Sequence, residues 1–112
     1  MAYEFEGRQI ETTAGGYLTD MADWSPELAA HIAASEQIEL TPRHWDVMNY
    51  LREEYRDNNQ TQPNTRTIMK AMSDHWGEKV EQRDLYDLFP LDPSKQAGRI
   101  AGLPESRRKG GY

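Results

Sequence analysis

The stretch Thr41-Pro42-Arg43-His44-Trp45-Asp46-Val47-Met48-Asn49-Tyr50-Leu51-Arg52-Glu53-Glu54-Tyr55 sets the reading of the whole chain. Thr41 before Pro42 is a helix start: a hydroxyl can cap free first-turn N–H groups, and a proline at the first helical position has no N–H to leave unpaired. Trp45, Met48, Leu51 and Tyr55 then recur at spacings of three, three and four, laying an apolar stripe along one face. Arg43, Glu53, Glu54 and Arg56 fall elsewhere. The spacing predicts a long amphipathic helix, and such a helix draws most of its stability from a core packed against that stripe.

Outward from this helix the same start signal recurs. Ser25-Pro26-Glu27 precedes Leu28, Ala29, Ile32 and Ala33 on one stripe, predicting a helix of about ten residues. Asp57 to Pro63 is a turn-rich connection; Asn64 or Thr65 then caps a helix carrying Ile68, Met72 and Trp76, closed by Gly77. Leu85, Leu88 and Phe89 make a short helical segment ended by Pro90. Asp92-Pro93 starts a last helix with Ala97, Ile100 and Ala101, terminated by Gly102 and Pro104. Ahead of all these, Tyr3 and Phe5 alternate with Glu4 and Glu6, Gly7 breaks the run, and Ile10, Thr12 and Tyr17-Leu18 resume it. The fold class is therefore α+β: a short N-terminal β-meander packed on an array of about five helices. Residues 1–104 form one domain, and 105–112, with no apolar residue before Tyr112, form a flexible C-terminal arm.

With 112 residues the chain suits a single domain. No apolar run approaches the ~20 residues that span a bilayer, so membrane insertion is not expected. The N-terminal stretch is polar and acidic, unlike a secretory signal, which points to the cytoplasm. Residues 1–104 carry a net charge of -8 and residues 105–112 a net charge of +2. An acidic body disfavours broad nucleic-acid binding, while a local basic site remains open. The cysteine count is zero, which excludes disulfides, thiolate metal sites and cysteine nucleophiles on these residues.

Few residues point to chemistry of their own. His31, His44 and His75 sit on three different predicted helices without metal-ligand spacing and read as surface or capping residues, and no metal or cofactor is expected. Glu53 and Glu54 are adjacent, about 100° apart on a helix, and so do not face each other as a catalytic dyad would. Trp45, Met48, Met69, Met72 and Trp76 have the helical spacing of core residues. The helix pair Thr41–Asn58 and Asn64–Trp76 could act as a helix-turn-helix presenting Arg66 and Lys70 to DNA, against the charge of the body.

Two blocks carry a resemblance. Leu85-Tyr86-Asp87-Leu88-Phe89-Pro90 and Pro93-Ser94-Lys95-Gln96-Ala97-Gly98-Arg99-Ile100-Ala101-Gly102-Leu103-Pro104 resemble the C-terminal signature of the DsrC/TusE family of sulfur-relay proteins. Gly16-Tyr17-Leu18, Trp24, Leu40-Thr41, His44-Trp45-Asp46, Leu51-Arg52, Tyr55, Pro63, Arg66 and Lys70 extend it upstream in family order. The resemblance implies a small α+β fold, a β-meander on an orthogonal array of about five helices, with a mobile C-terminal arm. It also implies a sulfur carrier: a cysteine near the end of the arm takes up persulfide sulfur and the arm inserts into a partner. The implied partners are dissimilatory sulfite reductase or, on the TusE branch, Tus relay components and a tRNA thiouridylase making 2-thiouridine.

Where the resemblance places the two carrier cysteines, this chain has Gly98 and Gly111, neither of which can hold sulfur. Persulfide chemistry needs a thiolate, so the relay step has no reagent here. Three readings follow. The chain is a partner-binding or regulatory paralogue in sulfur metabolism, or a Cys-to-Gly variant of a genuine carrier, or a DNA-binding regulator of sulfur genes. Whether it is an enzyme is left open. Under the first reading Arg66, Lys70, Lys95 and Arg99 form a partner-facing basic patch, and Arg107, Arg108 and Lys109 form a basic probe on the arm.

Overall fold

The computed structural model describes residues 2–105. Strands β1 (Ala2–Phe5) and β2 (Arg8–Glu11) form an antiparallel hairpin in which Tyr3 pairs with Ile10 and Phe5 with Arg8. The expected third strand is reduced to one bridge, Thr12 with Leu18. A 3-10 turn (Met21–Asp23) leads into α1 (Pro26–Ser35), α2 (Pro42–Asp57), α3 (Thr65–Trp76), α4 (Gln82–Leu88) and α5 (Pro93–Ile100). The α+β expectation and the five helices are met. Of the arm expected over 105–112, all but Glu105 lies outside the described residues.

The starts of α1, α2, α3 and α5 are the ones the sequence marks. Ser25 Oγ accepts from the Leu28 N–H, Asn64 from the Thr67 N–H, and Asp92 from the N–H groups of Ser94 and Lys95. Each bond satisfies a first-turn donor that has no partner within the helix. Gly77 ends α3 in the left-handed region, with φ 68°.

One core joins all the elements. Leu28, Ala29, Ile32 and Ala33 of α1 meet Val47, Met48 and Leu51 of α2, Ile68 and Met72 of α3, Leu85 and Phe89 around α4, and Ala97 and Ile100 of α5. Trp45, Met69 and Trp76 are half-buried against it, as their spacing predicted. The hairpin docks through Ile10 in the core and through Tyr3 and Phe5, whose rings lie 6.3 and 5.3 Å from the His31 ring of α1.

The buried His44 caps α2 from within. The Thr41 N–H donates to Nδ1 at 3.0 Å, and Nε2 lies 2.9 Å from the Leu88 carbonyl at the end of α4. With Nδ1 accepting, the proton sits on Nε2, which donates to Leu88. Phe89 packs edge-on against the ring at 5.1 Å. Among the described residues, no helix is long and apolar enough to cross a membrane.

Candidate functional site

Helix α5 and the chain leaving it hold most of the residues that the sequence marked. The helix ends on a full glycine motif: Gly102, with φ 81°, donates its N–H to the Arg99 carbonyl at 3.2 Å, and Leu103 donates to the Gly98 carbonyl at 2.9 Å. The last carbonyls are then taken up by two distant side chains. Trp24 Nε1 donates to Ile100 O at 2.9 Å, and Arg52 Nη1 to Ala101 O at 2.6 Å. The Arg52 guanidinium also lies 3.7 Å from the Trp24 ring centre, so the two donors brace each other through a cation–π contact. Beyond the helix, Leu103 is buried and Gln62 Nε2 donates to the Pro104 carbonyl at 3.3 Å. The chain is thereby fixed in direction up to Pro104.

The opposite flank of α5 is held by charge. Arg99 grips Glu36 of the α1 terminus through Nε at 3.0 Å and Nη2 at 2.6 Å, and Gln96 Nε2 adds a third bond to the same carboxylate at 2.8 Å. Burial opposes the charged guanidinium, but the hydrogen bonds and charge of Glu36, together with the nearby Tyr17 and Tyr3, outweigh it and raise the Arg99 pKa. Tyr17 lies under the same guanidinium, and its phenol is pushed above its ordinary value by burial. Arg99 also reaches the Gly15 carbonyl at 3.4 Å, joining the β-segment to α1 and α5.

The expected basic patch therefore takes a different form. Arg99 spends its charge on Glu36 and acts as a structural pin. Lys95 is half-buried in the first turn of α5, where Ser94 Oγ donates to Pro63 O at 2.7 Å and ties this turn to the start of α3. Arg66 and Lys70 are exposed on α3. Arg107, Arg108, Lys109 and Gly111 lie outside the described residues.

Gly98 is informative for what surrounds it. A Cβ built there meets no described atom within 4 Å, so packing does not demand glycine and the helix has room for a side chain at 98. Among the described residues there is no cluster of metal-ligating side chains and no cysteine.

Glu36 and Gln62 were not singled out from the sequence, no local spacing signals them, and Gln96 stood only within the quoted family signature. Trp24 and Arg52 were visible only as parts of the family resemblance, which gave them no role.

The comparisons with known proteins bear on the whole chain. The family model described as "DsrC like protein" matches residues 4–108. Sulfurtransferase TusE of Escherichia coli (strain K12) is 48% identical over 102 residues, covering 90% of this chain and 93% of the relative. TusE of Salmonella typhimurium is 49% identical over the same length, with the same coverage. Among solved structures, the NMR structure of Allochromatium vinosum DsrC superposes with a TM-score of 0.84 at 38% identity, covering 96% of each chain. The crystal structure of the oxidized gamma-subunit of the dissimilatory sulfite reductase (DsrC) from Archaeoglobus fulgidus gives 0.86 at 30% identity, covering 96% of this chain and 98% of that one. The α5 signature, the fold and the sequence match together place this chain in the DsrC/TusE family of sulfur-relay proteins.

Proposed function

We propose that this chain is a thiol-free family member that docks on sulfur-metabolism proteins without carrying sulfur, and so regulates or competes for the site where a carrier would bind. The observation behind this reading is the absence of cysteine from a chain that keeps the family fold and the braced exit of α5. Sulfur transfer by this family's route requires a thiolate to accept the persulfide sulfur, and none of the 112 residues supplies one. What the chain retains is the family fold with the exit of α5 braced as far as Pro104.

The partners on this reading are cytoplasmic proteins such as dissimilatory sulfite reductase or Tus-type relay components. Contacts come from Lys95, Arg66 and Lys70 on the body and from Arg107, Arg108 and Lys109 on the arm. The test is a pull-down from nuclease-treated native extract, comparing the full chain with a version ending at Pro104. Capture of sulfite reductase or Tus-type components by the full chain, lost on truncation, supports the reading. Capture of neither by the full chain overturns it.

A further inference from the structure

A hollow of about 340 Å³ lies beside the exit of α5, lined by Met21, Arg52, Tyr55, Arg56, Gln60 and Leu103. Arg52, Tyr55 and Arg56 stand at positions i, i+3 and i+4 of α2 and so share one face of that helix. Met21 and Leu103 supply apolar walls, and no carboxylate is among the described residues that line the space. Two guanidiniums thus border one concavity on a chain whose net charge is -6.

Each arginine has a structural use of its own. Arg52 donates to the Ala101 carbonyl and lies over the Trp24 ring, and Arg56, in the last turn of α2, suits the negative end of that helix. Neither use requires the two charges to meet. They do meet: burial first, and then the charge of Arg56, push the Arg52 pKa below its ordinary value. The acceptor that Arg52 has found is a neutral carbonyl, which leaves its charge unmatched. Arg56 forks onto Asp57 at 2.9 and 3.0 Å, but these side chains are 71% and 57% exposed, and such a surface pair is weak. Glu53 acts on Arg56 from outside the hollow.

The turn after α2 leads to the same place. Asn59 and Gln60 both have positive φ, 53° and 60°, a region that residues with a Cβ rarely occupy and for which glutamine, unlike asparagine, has no special tolerance. The Gln60 N–H donates to the Tyr55 carbonyl at 3.0 Å, which holds the turn against the helix end. This strained turn brings the Gln60 side chain to the hollow.

We propose that the hollow is a binding site for a doubly charged tetrahedral oxyanion, sulfate or a phosphate group, held between the guanidiniums of Arg52 and Arg56 with Tyr55 and Gln60 as further donors. A dianion matches the two positive charges and relieves their repulsion. Its oxygens accept hydrogen bonds from several directions at once, as donors on three sides of a hollow require, whereas a carboxylate presents two oxygens in one plane. Arg52 also holds the Ala101 carbonyl and Leu103 lines the space, so a bound anion touches the elements that fix the exit of α5. On the function proposed above, occupancy would tie partner docking at that exit to the anion; the binding itself does not rest on that function.

The experiment uses the full chain, isotope-labelled and observed by NMR at low ionic strength. Sodium sulfate is titrated in, with sodium chloride at matched ionic strength as the control. The expected result is saturable shifts at the amides of residues 52–60 and 101–104 and at the Nε–H signals of Arg52 and Arg56, absent with chloride. Arg56→Gln should weaken sulfate binding by about tenfold or more, since it removes a charge-assisted donor. Arg56 is exposed and pairs only at the surface, so the fold should be retained. Arg43→Gln removes the same charge at the other end of α2 and should leave the affinity unchanged. Shifts that fail to saturate, or that chloride reproduces, show screening alone and overturn the proposal. Equal weakening by the two variants assigns the effect to net charge and also overturns it. Inorganic phosphate and ribose 5-phosphate then distinguish the sources. Binding of inorganic phosphate with exclusion of the ester supports a free oxyanion, and ester binding at least as tight supports a phosphate carried on a larger molecule. The readout needs no partner protein, so its failure is distinct from failure of the pull-down.

Discussion

Glu36 and Arg99, 63 positions apart in sequence, share two hydrogen bonds in a fork whose side chains are only 14% and 18% exposed. Gln96 occupies the same carboxylate, and its own oxygen accepts the Leu91 N–H at 2.9 Å. The fork thus joins the end of α1 to α5 and steadies the loop before it. Removing one partner leaves the other charge poorly solvated, which costs several kcal/mol in buried pairs. Glu36→Ala and Arg99→Ala are each expected to lower unfolding stability by about 2–4 kcal/mol. The double variant should lose less than the sum by about 1 kcal/mol or more, because the two changes remove one interaction. Urea denaturation of the three variants measures this, and strict additivity would contradict it.

Two glycines, one within α5 and one just past its end, should respond in opposite directions. Gly98 has an ordinary helical backbone and open space beside it, so Gly98→Ala is expected to stabilise by about 0.5–1 kcal/mol through lower unfolded-state entropy and better helix propensity. Gly102 has φ 81°, and a Cβ there would overlap the Trp24 indole. Gly102→Ala should cost at least about 2 kcal/mol, from left-handed strain together with displacement of the Trp24 and Arg52 brace. Thermal unfolding of both variants side by side gives the signs.

Burial lowers the pKa of His44 below its ordinary value, outweighing the hydrogen bond to Leu88. The unfolded chain therefore binds this proton more readily than the folded one. Stability from His44 is full above about pH 6.5 and is lost as pH falls through the lower folded value. Protonation would also set an Nδ1 proton against the Thr41 N–H and undo the cap of α2. The urea midpoint should fall between pH 7.5 and pH 5, and His44→Gln should flatten that part of the profile. An unchanged slope in the variant would assign the acid sensitivity to other groups.

On the proposed function, Arg107, Arg108 and Lys109 are the cations that meet an acidic partner, set on an otherwise acidic chain. Reversing all three to Glu should slow association with an acidic partner by about tenfold at low salt while leaving dissociation nearly unchanged. Surface plasmon resonance across a salt series separates the two rates. Equal association rates at low salt would remove the arm from recognition.

The helix boundaries were legible because their signals lie within one turn. Ser25-Pro26, Asn64 and Asp92-Pro93 each place a capping oxygen beside the donors it satisfies, and Gly77 and Gly102 mark chain reversals that other residues resist. The meander was legible only in part: Tyr17-Leu18 alternates like a strand but pairs through a single bridge at Leu18. His44 was legible as a capping residue, whereas its bond to Leu88 was not, since the two lie 44 positions apart.

The candidate site divides in the same way. Sequence by itself determined that these 112 residues carry no thiol, that the body is acidic and the last eight residues basic, and that the α5 signature is that of a sulfur-relay family. Those are matters of composition and local order, which folding cannot alter. Tertiary structure alone decided that Arg99 is spent on Glu36, that Trp24 and Arg52 brace the exit of α5, and that Gly98 has room where Gly102 has none. Many carboxylates could have paired with Arg99, and only the packing of α1 against α5 brings Glu36 within hydrogen-bond reach of it.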